Sequence, residues 1–378
     1  MKYDEDKRIV MTLDAGGTNF VFSAVQANKI IIDEIRFDSN GDNLEESLSN
    51  IVEGFTCINE QLEDEPAAIS FAFPGPADYP NGILGDLGNL PAYRGGVALG
   101  PMLEKIFNIP VFINNDASLY TYGEAIAGFL PSINEKLQEA GNQKRYKNLF
   151  GITLGTGFGS GLVTNGELYL GDNNIAGEIL LMRNKISHDK NAETHASIKG
   201  IQKIFCQKSG IKKEFAPSPK EIFEIGCGIS KGDKEAAIEA YRQMAQVVGD
   251  AISNAVTLLD CLVIIGGGLS GAAQLFLPFL IDEMKSNFVK DDGTSYKRLL
   301  AEVYNLEDKN DLEKSLKNDE KEIIIPRTNK KIMYDPFQRI GVAVSKIGTS
   351  KAIALGAYAF ALNKVDRNEK QNKLLFLT

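Results

Sequence analysis

The chain has no apolar run that approaches the length of a bilayer. Purely apolar stretches such as Leu262–Ile265 and Ala352–Leu355 fall far short of the ~20 residues that a spanning helix requires. Cysteine is scarce and scattered: Cys57, Cys206, Cys227 and Cys261 form no C-x-x-C or C-x-C pair. That spacing argues against a disulfide framework or a zinc knuckle and in favour of reduced, buried thiols. Positive charge is also in deficit. Lys and Arg number 41 against 50 Asp and Glu, a formal net charge of −9, and the cations gather on no stripe, so a nucleic-acid partner is not expected. The opening Met1–Arg8 is charged and runs straight into a strand. No signal peptide fits there, and a cytoplasmic location with no membrane partner is expected. Two phosphate-handling signatures are missing as well, the G-x-x-x-x-G-K-[ST] loop and the H-R-D/D-F-G set of protein kinases. Any phosphoryl transfer by this chain therefore uses another scaffold.

What is present is a globular composition, 43% hydrophobic and 24% charged, in 378 residues. That length exceeds one ordinary core and predicts two α/β domains. Ile9–Leu13 reads as a strand, Asp14-Ala15-Gly16-Gly17-Thr18 as a tight turn, and Phe20–Val25 as the returning strand. A third strand is expected over Ile30–Phe37, then a helix with Leu44, Leu48, Ile51, Phe55 and Ile58 at helical spacing. Ala67–Phe73 and Val111–Asn114 read as buried strands, the second running into a helix over Ala117–Ala127. The same grammar returns downstream: strand Leu149–Leu154, glycine turn Gly155-Thr156-Gly157-Phe158-Gly159, strand Ser160–Thr164, and a hairpin at Asn165-Gly166. A long helix over Lys234–Leu259 leads to strand Leu262–Ile265 and the loop Gly266-Gly267-Gly268. This approximate duplication implies two halves with a ligand site in the cleft between them. Pro131–Lys147 reads as a loop or short surface helix, Asp291–Arg327 as a charged, exposed excursion, and Ser350–Leu362 as a helix packed between layers.

The two glycine turns suit anions, because their backbone N–H groups can approach closely while Thr18 adds a hydroxyl. Asp14, at a strand end, can hold Mg²⁺ through water. Either turn taken alone is equally a hairpin whose glycines only make the bend. Gly266–Gly268, between a strand and a helix, leaves room for a flat ring, or simply needs glycine to turn. Asp116, after Asn114-Asn115, is a helix cap or a general base for an attacking hydroxyl. Glu178 is a surface carboxylate or a ligand for sugar hydroxyls.

Taken in order, Leu13–Thr18, Phe73–Asp78, Gly88-Asn89-Leu90-Pro91, Asn115-Asp116-Ala117, Leu154–Gly161, Gly171 to Gly177-Glu178, and Ile265–Ser270 resemble the ROK family of repressors and sugar kinases. That family sits in the superfamily of hexokinase, actin and the heat-shock chaperone ATPases. The resemblance implies an α/β fold of two actin-like (ribonuclease H-like) domains with mixed β-sheets around an interdomain cleft. Residues 1–117 would form the first domain, with a C-terminal helix of about 350–378 packed back on it, and 118–349 the second. It implies a glucokinase-like enzyme that phosphorylates a hexose with ATP and Mg²⁺, commonly as a homodimer, with Asp116 as catalytic base. Gly75, Asn89, Asn115, Asp116, Glu178 and Glu193 would meet the sugar. Asp14, Gly16, Gly17, Thr18, Thr156 and Gly157 would meet the phosphates, with Gly267 and Gly268 near the adenine. Family kinases carry Glu-x-x-His followed by a cysteine-rich zinc hairpin. Here Leu181 replaces the histidine and no such hairpin follows, so no zinc site is expected, and His188 and His195 are assigned to surface or pocket-wall roles. Two rival readings are a non-catalytic sugar or nucleotide sensor and a transcriptional regulator, the latter requiring a helix-turn-helix ahead of the first strand.

Overall fold

The computed structural model describes residues 2–75, 77–85 and 90–375, with side chains to 368. The strands are β1 Val10–Ala15, β2 Asn19–Gln26, β3 Lys29–Ile30, β4 Ile35–Asp38, β5 Ala68–Ala72, β6 Ala77–Asp78, β7 Ile83–Leu84, β8 Val111–Asn114, β9 Leu149–Leu154, β10 Phe158–Thr164, β11 Glu167–Tyr169, β12 Leu262–Gly266, β13 Asn287–Val289, β14 Ser295–Lys297, β15 Glu302–Asn305, β16 Lys321–Ile324, β17 Lys331–Tyr334 and β18 Arg339–Val344. The helices are α1 Leu44–Glu60, α2 Leu99–Phe107, α3 Asp116–Ile126, α4 Phe129–Glu139, α5 Ile198–Ser209, α6 Pro219–Gly226, α7 Lys234–Leu259, α8 Ala273–Met284, α9 Lys309–Leu316 and α10 Thr349–Leu375. The chain divides into two compact units. The first holds Met1–Pro131, Gly161–Ala176 and Lys346–Thr378; the second holds Ser132–Ser160 and Gly177–Ser345.

The first unit is built on a mixed sheet in the order β3-β2-β1-β5-β8, with β4 also on β2. β1 lies between antiparallel β2 and parallel β5, which is why Val10-Met11-Thr12-Leu13 is buried on both faces. The one polar side chain inside that run, Thr12, meets the hydroxyl of Ser23 at 2.7 Å and so brings no unsatisfied atom into the sheet. On one face α1 lays Ile51, Phe55 and Ile58 against Phe20, Phe22 and Phe71, with Phe22 and Phe55 edge to face at 5.1 Å. Each buried ring contributes about 1.5–3 kcal/mol. The other face is covered by α10, whose Leu355, Tyr358, Ala361 and Leu362 pack on Val10, Val25 and Ala68. The expected strand over 30–37 is two short strands. After Ile31, whose N–H still donates to Ala24 O at 2.9 Å, the chain leaves the ladder through Asp33-Glu34 and rejoins β2 at Ile35.

In the second unit β9, β12, β18 and β15 run parallel, with β10 beside β9. Ala237, Met244, Val248 and Ile252 form the buried face of the 26-residue α7. The Asn165-Gly166 hairpin is as expected, with φ of 52° and 78° suited to a type I′ turn. One segment differs from the sequence reading. Within the supposed exposed excursion, Leu299, Ala301, Val303 and Leu306 are buried, and β15 between them is a strand of the main sheet. Of the loop or short surface helix expected over Pro131–Lys147, the helix is found: α4 spans Phe129–Glu139, with Ile133 and Leu137 buried. Among the described residues no helix is long and apolar enough to cross a membrane.

Helices α3 and α10 cross with their backbones in close approach. A Cβ on Gly123 would stand 1.9 Å from the Ala352 carbonyl oxygen, and one on Gly356 would stand 1.8 Å from that of Leu119. Glycine within a helix costs about 1 kcal/mol relative to alanine, so these positions are held by the crossing and not by propensity. Gly356→Ala, although a better helix former, is expected to lower stability by ~1–3 kcal/mol in urea unfolding. An unchanged or raised midpoint would refute the close-packing account.

Candidate active site

Three parallel strands of the first unit end in one row, since Asp14 is paired with Ala72 and Ala72 with Asn114. At ~4.8 Å per strand, Asp14 and Asn114 stand about 10 Å apart across β5. Beyond this row the chain turns three times, at Gly16–Thr18, at Phe73–Gly75 and at Asn115–Asp116. In the first turn the Gly16 N–H donates to Asn19 O at 3.0 Å. A Cβ at Gly16 would lie 2.9 Å from that same oxygen, so glycine is a requirement of the bend. Ser39 braces it, its hydroxyl donating to Gly17 O at 2.7 Å and its N–H to Thr18 O at 2.9 Å. Gly17 and Thr18 remain exposed. Asp14, Gly16, Gly17 and Thr18 line a cavity of about 380 Å³ together with Arg36 and Lys351.

Asn115 is the N-cap of α3, its Oδ1 accepting from Ala117 N–H at 2.9 Å and from Ser118 N–H at 3.3 Å. Asp116 is the first helical residue, and its own carboxylate shares the Ala117 N–H at 2.8 Å. The residue is exposed by surface area, although protein atoms crowd the space around its carboxylate. Burial pushes its carboxyl pKa up; the Ala117 amide opposes the rise and the negative charge of Asp14 adds to it. Asn114 Nδ2, at the end of β8, is buried with no hydrogen-bond partner among the described residues.

The second unit gathers another set. The N–H of Leu269 donates to Leu154 O at 2.9 Å, and a Cβ on Gly155 would come within 3.9 Å of Gly268 N, so the turn after β9 and the turn after β12 lie together. Glu193 reaches the first of them, Oε2 accepting from Phe158 N–H at 3.0 Å. A Cβ on Gly157 would lie 2.9 Å from that oxygen. The start of α5 closes the group, Ile198 N–H donating to Gly155 O at 2.9 Å. A cavity of about 770 Å³ is lined here by Thr156, Glu193, Ser197, Lys199, Lys203 and Lys213. Glu178 follows Gly177, whose φ of +95° and close approach to Ser160 O make glycine necessary there.

The sequence-predicted residues therefore fall into two local groups. Asp14, Gly16, Gly17, Thr18, Gly75, Asn115 and Asp116 share one sheet edge; Thr156, Gly157, Glu193, Gly267 and Gly268 share the other unit's turns. Asn89 lies outside the described residues. Sequence reasoning missed the cations, Arg36 and Lys351 beside the Asp14 turn and the three lysines beside Thr156. Lys199 and Lys203 are one helical turn apart behind the Ser197 cap, a spacing visible in the sequence. The assignment of His195 to a surface or pocket wall is corrected: it is 7% exposed and bonded to Asn184 at 2.8 Å. Leu181, at the position of the family's histidine, is 67% exposed. Among the described residues no cluster of three or more His, Cys, Asp or Glu could hold a metal ion.

The ROK family model matches residues 10–308 of this chain. A crystal structure of a glucokinase from Parabacteroides distasonis is 51% identical, covers 96% of this chain and 99% of its own, and superposes with a TM-score of 0.86. A glucokinase of Thermotoga maritima is 26% identical over 299 residues, 73% of this chain and 88% of that one. An N-acetyl-D-glucosamine kinase of Vibrio cholerae is 26% identical over 271 residues, 68% and 83% of the two chains.

The two neighbouring glycines after β12 separate a structural from a binding role. Gly267 has φ +85° and a Cβ there would sit 2.3 Å from Leu154 O, whereas a Cβ on Gly268 meets nothing within 4 Å. Gly267→Ala is expected to cost ~1–3 kcal/mol in stability. Gly268→Ala should stay within about 0.5 kcal/mol of wild type while weakening binding of an adenine nucleotide analogue by calorimetry. Unchanged nucleotide affinity in Gly268→Ala would remove that loop from the site.

Proposed function

The chain belongs to the ROK family and is an ATP-dependent sugar kinase, and from that premise we propose that it transfers the γ-phosphoryl group of ATP to a hydroxyl of a hexose, in the manner of a glucokinase, with Asp116 as general base. The observation that carries this reading is the position of Asp116: a carboxylate at the mouth of α3, on the same sheet edge as Asp14, with its pKa raised toward the range useful for accepting a proton. Glucose is favoured as acceptor by the 51% identity to a glucokinase over nearly the whole chain.

In this mechanism the Asp14–Thr18 and Thr156–Gly157 turns present backbone N–H groups to the phosphates, and the lysines beside Thr156 neutralise charge. Around Asp14 the groups able to ligate a hard cation are oxygens, its own carboxylate and the Thr18 hydroxyl, with Arg36 and Lys351 lining the same cavity. That set suits a Mg²⁺ that arrives with the nucleotide and keeps most of its water; when bound, it would neutralise charge on the transferring phosphoryl group. Asn115, Glu178 and Glu193 hold sugar hydroxyls. Asp116 accepts the proton of the attacking hydroxyl as the O–P bond to the sugar forms and the bond to ADP breaks. Asn115 retains the Ala117 N–H as a helix cap while Asp116 turns to the substrate.

Coupled ADP release across hexoses, ketoses and N-acetyl sugars tests the reading, with Asp116→Ala expected to lose ~10²–10⁴-fold in kcat. Release of ADP by no sugar, with sugar and nucleotide both bound, would make the protein a sensor instead. The base must be ionised, so kcat/KM is expected to fall with decreasing pH along an acid limb placed above the 3.8 of an ordinary aspartate. Asp116→Asn is expected to lose activity as Asp116→Ala does while unfolding in urea close to wild type, because the residue is exposed and solvent screens its charge. A variant that loses activity only by unfolding would remove Asp116 from the catalytic role.

A further inference from the structure

Glu193 is carried on a three-residue turn, Ala192–Thr194, and both ends of that turn are tied to one side chain. Asn184 is fully buried, at 0% exposure. Its Nδ2 donates to Asn191 O at 3.0 Å, just before the turn, and to His195 Nδ1 at 2.8 Å, just after it. Its Oδ1 accepts from the N–H groups of Ile186 and Ser187, both at 3.0 Å. A side-chain amide offers two donors and two acceptor sites, and all four are used. The surrounding backbone repeats the pattern, with Asn184 N–H donating to Lys190 O at 2.9 Å and Ala192 N–H to Met182 O at 2.8 Å.

The orientation of the amide follows from its partners. Two backbone N–H groups require the oxygen on one side, so Nδ2 must face His195 and donate. Nδ1 of His195 therefore accepts, and the imidazole is neutral with its proton on Nε2. The surroundings agree. Burial lowers the His195 pKa, and the charges of Lys203 on α5 and Lys190 in the loop lower it further. On the α5 side a Cβ at Gly200 would come 2.6 Å from His195 O, so the helix closes over the backbone. The carboxylate of the neighbouring Glu193 is engaged by Phe158 N–H.

We propose that Asn184 and His195 are positioning residues, a neutral clasp across the Ala192–Thr194 turn that sets the Glu193 carboxylate against the Thr156–Phe158 turn. The inference rests on the kinase reading, in which that turn meets phosphate and Glu193 meets sugar. Both side chains are buried, and neither lines the cavity beside Thr156 and Glu193. If the clasp opens, the chain carrying Glu193 loses its side-chain tie at both ends and keeps the backbone bond of Ala192 to Met182 and the Ser197 hydroxyl on Glu193 O, and the loss appears at the reacting centre.

Asn184→Asp is the informative variant. It keeps an oxygen for Ile186 and Ser187 but replaces the donating Nδ2 by a carboxylate oxygen, so the clasp then requires a protonated His195. Sugar kcat/KM in this variant is expected to fall roughly 10- to 100-fold at neutral pH and to recover as pH drops through the histidine range, before the acid limb of Asp116. Wild type has no such recovery. Histidine nitrogen shifts by NMR report the tautomer directly: Nε2–H in wild type, a protonated ring in the variant. A well-folded Asn184→Asp enzyme with wild-type kcat, KM, pH profile and His195 shifts overturns the proposal. Should that variant not fold, the pair His195→Asn and His195→Leu decides. The asparagine oxygen can take the place of Nδ1 and should keep activity within about threefold, while leucine should lose it; equal activities overturn the clasp. If wild type itself releases no ADP with any sugar, the kinase reading fails, and the NMR tautomer together with exchange protection of the Phe158 amide still judges the clasp.

Discussion

Contact between two helix backbones fixes the geometry of the first unit. Gly123 of α3 and Gly356 of α10 let the helices approach until a methyl group would overlap a carbonyl oxygen. The same α10 lies on Val10 of β1, Val25 of β2 and Ala68 of β5. One helix thus gauges both the sheet and α3. The turn bearing Asp14 and the start of α3 bearing Asp116 are two ends of elements clamped by α10. Displacing α3 by the width of a methyl group would move Asp116 relative to Asp14, and in the proposed transfer ~1 Å of misplacement would cost about 10²-fold in rate.

Asp116 is pulled in two directions by its surroundings. The start of a helix favours a carboxylate through its free N–H groups and dipole, while burial and the charge of Asp14 disfavour it. The shared Ala117 N–H resolves the conflict locally. Asn115 already satisfies that donor, so the aspartate can leave it without exposing a bare helix terminus.

Much of this was legible in the sequence because tight turns demand glycine. At Gly16 and Gly177 any side chain would meet a backbone oxygen at 2.9 Å, and such positions punctuate apolar runs plainly. β1, β2, β5, β8, β9 and β12 follow from those runs. Segments governed by weaker signals were not read. Asp33 and Glu34 break a strand that periodicity alone extends. Leu299, Ala301, Val303 and Leu306 are buried inside a stretch whose charges suggested a surface excursion, since an edge strand of four residues carries little pattern of its own. The cations were illegible for a different reason: Lys351 and Arg36 join Asp14 only after the chain has folded, from opposite ends of the sequence. The Asn184 network was hidden too, because an asparagine among polar residues looks like a loop until its burial is known.

That network also bears on how a loop can be held without a metal. A structural ion fixes its ligands by strong bonds, but a side-chain amide can do so only if every donor and acceptor is matched, since a half-satisfied buried group destabilises what it should brace. At Asn184 the match is complete and no net charge is buried, which avoids the desolvation cost of an ion pair. The arrangement is correspondingly narrow. It admits one amide orientation and one histidine tautomer, and an added proton at Nδ1 would set donor against donor. The rigidity that holds Glu193 at the Phe158 amide and the requirement for a neutral His195 are therefore one constraint, imposed by the valences of a single buried side chain.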